Sequence, residues 1–129
     1  MTIAPNIIDP AEERVRLAGA LAAAAADLQR LVERDKAAEA RASDVDEAAA
    51  VILAARDAHV AQLEKAIDED PVGAVALVET LNKIDEDVAM AQREKGRASS
   101  ELGTARAERA RAVAVVDDLR ARLRKLVAG

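Results

Sequence analysis

Apolar residues recur along this chain in alternating steps of four and three. In the second half they fall at Leu77, Leu81, Ile84, Val88, Ala91, Ala98, Leu102, Ala105, Ala112, Val116, Leu119, Leu123 and Leu126, interrupted by Lys95 and Arg109. A repeat averaging 3.5 residues, held this long without proline, marks a helix whose seam stays against a partner helix. The first half carries the same alternation through Leu17, Leu21, Ala24, Leu28, Leu31, Asp35, Ala38, Ala42, Val45, Ala49, Ile52, Arg56, His59, Leu63 and Ala66. No proline falls between residues 11 and 70, so one helix is expected there. Ser43 followed by Asp46 resembles a capping box and is the one place where a second helix could begin.

Two start signals frame these stretches. Asp9-Pro10-Ala11-Glu12 supplies an N-cap acceptor, a proline at the first helical position and acid in the first turn, and Asp70-Pro71 repeats the signature. The reading is therefore a helix over residues 10–68, a turn at 69–71 and a helix over 71–127. At 1.5 Å per residue the two helices are nearly equal, at about 87 Å each, and a short connection makes them antiparallel neighbours. The expected fold is all-α: a long antiparallel coiled-coil helical hairpin forming one domain over residues 10–129, and oligomerising into a helical bundle. Residues 1–9 are set apart as an N-terminal arm, with Pro5 in it and Ile3, Ile7 and Ile8 available for docking.

The two seams also define a register. With Leu21 and Leu81 at a positions, opposed seam residues from Leu17 with Leu123 to Leu63 with Leu77 have numbers that sum to 140. Flanking g positions then bring Arg34 to Glu108 and Arg41 to Glu101. Such pairs select alignment more than they stabilise it. Arg109 lies one layer from Asp35, and Lys95 can reach Asp44 or Asp46, so Asp35, Lys95 and Arg109 are the candidate register-setting polar residues.

Outside the seam the two flanks differ. One collects Val32, Leu53, Val60, Val78 and Val113 at e positions, continued by Ala89, Gly96, Gly103 and Ala110 at the neighbouring b positions of the second helix. Glycine within a helix costs about 1 kcal/mol relative to alanine, which invites a close-packed neighbour at Gly96 and Gly103. These nine residues are the candidate oligomer or partner interface. The opposite flank, with Asp27, Arg34, Arg41, Asp87, Glu94, Glu101 and Glu108, is charged.

Composition narrows the function. Phe, Tyr and Trp are absent and about half the residues are apolar, which suits narrow helix packing and removes the side chains that dominate ligand and base-stacking sites. There is no cysteine, so neither a disulfide framework nor a thiolate site can form. The net charge of −5 argues against nonspecific binding of nucleic acid by the whole chain. No apolar run is long enough to span a bilayer. Arg14 and Arg16 ahead of an alanine-rich stretch imitate a signal peptide, but Glu12 and Glu13 interrupt the basic region; a cytoplasmic location, or one within a viral particle, is expected. Charge is uneven along the chain. Residues 64–87 hold eight acids and two lysines, whereas residues 97–125 hold eight bases and four acids, ending in the basic cluster Arg120, Arg122, Arg124 and Lys125.

No reactive constellation emerges. His59 is the sole histidine, too few for a histidine-carboxylate metal site, and it sits on the seam opposite Leu81. Ser43, Ser99, Ser100 and Thr104 have no histidine partner, and the Gly96/Gly103 spacing is not a phosphate loop. No enzyme, metal or cofactor is expected. In composition the chain resembles small acidic, alanine-rich scaffolding and morphogenesis proteins of viruses and bacteriophages, a resemblance that rests on no motif and assigns no residue. It implies a structural or assembly protein that self-associates. The alternatives are a regulatory adaptor that binds a partner helix and a weak binder of nucleic acid or anionic surfaces through the basic end.

Overall fold

A computed structural model describes residues 9–129. The proposed docking role of Ile3, Ile7 and Ile8 lies outside them. Helix α1 spans Pro10–Glu69 and helix α2 spans Pro71–Ala128, with Asp70 alone between them, and the pair forms an all-α helical hairpin. No strand occurs among the described residues.

The Asp-Pro signatures do their work at both helix starts. The Asp9 carboxylate accepts from the Ala11 amide at 3.0 Å, and its carbonyl accepts from the Glu13 amide. Asp70 is shared by two helices. Its amide donates to the Ala66 carbonyl to close α1, while its carboxylate accepts from Gly73 N at 3.1 Å and its carbonyl from Ala74 N to open α2. Gly73 is part of this cap, because a Cβ there would run into the Asp70 carboxylate. Helix α1 passes through Ser43 unbroken; with no glycine or proline nearby, nothing there offsets the loss of helical hydrogen bonds.

The chain divides into two compact units. The terminal unit comprises the chain up to Lys36 with Thr104–Gly129, and the turn unit comprises Ala37–Gly103. In the terminal unit the buried apolar residues are Leu17, Leu31, Ala105 and Val116; in the turn unit they are Ala49, Leu63, Ala74 and Ala98. All but Ala74 belong to the two predicted seams, and the remaining seam residues are half-buried apart from Asp35, which is buried, and Lys95 and Arg109, which are exposed. The incomplete burial follows from the architecture. Each layer contains one residue from each helix, so a seam side chain is covered on one side and flanked by water on the other unless its neighbours are large.

Candidate functional site

Two kinds of site were expected from the sequence, a polar device in the seam and an apolar face outside it. The polar device is assembled in the terminal unit. Asp35 is 5 % exposed, and its Oδ2 accepts from the Arg109 guanidinium at 3.0 Å while Arg106 lies 3.9 Å from Oδ1. Helix geometry brings the two arginines to one carboxylate, since positions three apart share a face. The aliphatic stem of Arg109 crosses the seam position and its head remains half in water, as long cationic side chains do. In the turn unit Lys95 is exposed and its Nζ lies 3.7 Å from Asp46.

Other ion pairs bracket the two flanks. Arg34 meets Glu108 at 2.7 Å in the terminal unit, and Arg41 meets Glu101 at 2.9 Å and Glu94 at 3.6 Å in the turn unit. Arg34 with Glu108 and Arg41 with Glu101 are the g-side pairs that the register required; Arg41 with Glu94 is additional. Arg56 also crosses to Asp85 at 2.6 Å, on the e side, a pair missing from the g-position arithmetic because Arg56 occupies a seam position. His59 Nε2 lies 2.7 Å from the Leu77 carbonyl oxygen; the imidazole uses a backbone acceptor near the helix start as well as its place opposite Leu81.

The predicted interface residues are distributed between the units. In the turn unit Leu53 and Val78 are 45 % and 43 % exposed, Val60 and Ala89 are half-buried, and Gly96 and Gly103 are exposed. A Cβ on either glycine would meet nothing within 4 Å, so the chain's own packing does not require them. In the terminal unit Val113 is 39 % exposed, Val32 half-buried and Ala110 exposed. Of the basic cluster, Arg120 and Arg122 pair with Asp117 and Asp118 on their own helix, at 3.9 and 3.3 Å. Glu13 is held below the ordinary glutamate value, chiefly by the hydrogen bond from Arg16, with the charges of Arg16 and Arg122 assisting.

Two open depressions were not foreseen. One, of about 550 Å³ in the terminal unit, has Leu21, Leu123 and Val127 in its walls and Arg120 and Arg124 beside them. The other, of about 320 Å³ in the turn unit, is walled by Val45, Ala49, Ile52, Met90 and Ala91, with Asp87 and Glu94 also lining it. Alanine stands at flank positions of α1 near both: Ala18 and Ala25 on either side of Leu21 in the sequence, and Ala48 in the wall of the second. A signal was present in the flank positions, but a pattern read only as polar or apolar does not register side-chain size. The second depression also gives the flank expected to be charged an apolar section.

Among the described residues no helix is long and apolar enough to cross a membrane, and no group of three or more histidine or acidic side chains could hold a metal ion. Compared with known proteins, the chain matches no family model, no curated protein and no solved structure.

Proposed function

We propose that this chain is a non-enzymatic structural protein, a coiled-coil spacer or scaffold that acts by self-association, as in the assembly of a larger particle. The observation that carries the reading is how little of its aliphatic content the hairpin covers. Leu17 and Val116 are the large side chains among the described residues that are essentially sealed from solvent, while Val51, Leu53, Ile67, Val72, Val75 and Met90 in the turn unit alone are between 45 % and 85 % exposed. Scattered exposed apolar residues are ordinary, but a seam left half-open beside further exposed valines gives association a large apolar area to remove from water. The Cβ-free surfaces at Gly96 and Gly103 would let another backbone approach closely.

Sedimentation equilibrium over a wide concentration range tests this. The expected result is a mass at a multiple of the 13.6 kDa chain. A monomer at every concentration would overturn the proposal.

A further inference from the structure

The two units carry opposite charge. The turn unit holds fifteen acids and seven bases, a net of −8, and the terminal unit holds twelve bases and nine acids, a net of +3. The contrast is present on the apolar flank itself. Along α1 of the turn unit the e positions run Glu39, Asp46, Leu53, Val60 and Ile67, with Asp57 and Glu64 at the adjoining b positions; along α2 of the terminal unit they run Arg106, Val113, Arg120 and Val127, with Ala110, Asp117 and Arg124 at the adjoining b positions. Asp46, Asp57, Glu64, Arg106 and Arg120 are all exposed.

Resting on the self-association reading, we infer that the partner of the turn unit's apolar flank is the terminal unit of a second copy, with α1 of one molecule alongside α2 of the other and running in the same direction. This direction sets Asp46 beside the partner copy's Arg106, Leu53 beside Val113, Val60 beside the stem of Arg120 and Ile67 beside Val127, each step advancing both helices by one heptad. The opposite direction would set acid against valine and arginine against isoleucine. The open depression beside Leu21, Leu123 and Val127 then receives Ile67, and its rim arginines, Arg120 and Arg124, meet Glu64 and the other acids that flank the incoming strip. Unit pairs of like kind would oppose acid to acid or base to base, so charge selects the unlike pairing while apolar burial supplies the affinity.

The absence of cysteine makes the pairing directly testable, because any single cysteine introduced can bridge only between molecules. Leu53→Cys and Val113→Cys, both at partly exposed positions outside the seam, are mixed in equal amounts, unfolded, refolded together and oxidised. Ile67→Cys with Val127→Cys forms a second set. The inference expects the mixed disulfide to exceed either like-with-like product by roughly tenfold. It also expects the excess of the mixed disulfide to shrink toward the statistical ratio in 1 M salt, where screening acts within about 3 Å, while association persists. Like-with-like products equal to or above the mixed one, or a product ratio indifferent to salt, would overturn the unlike pairing and leave self-association standing. A wild-type chain that is monomeric at low salt, with no disulfide in either set, would overturn both.

Discussion

The Asp35 cluster permits a prediction about asymmetry within one ion pair. Asp35→Ala removes the carboxylate and releases Arg109 and Arg106, whose side chains are already 45 % and 57 % exposed. Both can swing into water, so the loss is close to that of one charge-assisted hydrogen bond, about 1–2 kcal/mol. Arg109→Ala instead leaves a carboxylate whose side chain is only 7 % exposed, with Arg106 at 3.9 Å as its nearest cation. Stripping the partner from a buried charge costs about 3–5 kcal/mol. Inward movement of Arg106 recovers part of that, which places the expected cost at about 2–3 kcal/mol. Replacing both residues by leucine rejoins the apolar seam and is expected to fall within about 1 kcal/mol of wild type, on either side, since well-packed apolar replacements of buried pairs are often neutral or stabilising. The assay is urea denaturation followed by helical circular dichroism at one fixed protein concentration, so that association contributes equally to each variant. A cost for Asp35→Ala equal to or above that for Arg109→Ala would refute the reasoning. So would a coupling energy below about 0.5 kcal/mol in the double-alanine cycle.

The glycines make a second comparison. Gly96→Ala and Gly103→Ala, with open space around the added methyl, should each raise folding stability by about 1 kcal/mol at concentrations too low for association. Gly73→Ala gains the same propensity but displaces the Asp70 cap, itself worth about 1 kcal/mol, so its thermal midpoint should stay near that of wild type; a rise matching the other two would show that the cap contributes nothing. A third test concerns acid. Because folding lowers the pKa of Glu13, its contribution is present above the ordinary glutamate range and is lost as pH falls through the lowered value. The difference in melting temperature between wild type and Glu13→Gln should therefore shrink on acidification, and a difference constant with pH would contradict the linkage.

Sequence alone determined the helical hairpin and its register. A 3.5-residue period admits one seam per helix, the Asp-Pro signatures give each helix a start, and the length of the repeat on either side of Asp70 leaves one way to align them. Arg34 with Glu108 and Arg41 with Glu101 follow from that alignment, as does the reach of Arg109 to Asp35, because positions one heptad apart recur on one face whatever else the chain does. Depth was decided by the tertiary structure. Leu17 and Leu21 are consecutive leucines of the same seam, yet one is buried and the other lines an open depression. The difference lies in what stands beside each residue on the facing helix and in the size of its flanking side chains, quantities that periodicity does not carry. For the same reason the structure, and not the pattern, located the Arg56 bridge to Asp85, the carbonyl taken by His59 and the open space around Gly96 and Gly103. A repeat specifies which direction a side chain faces, whereas exposure depends on volumes contributed by residues far away in the chain.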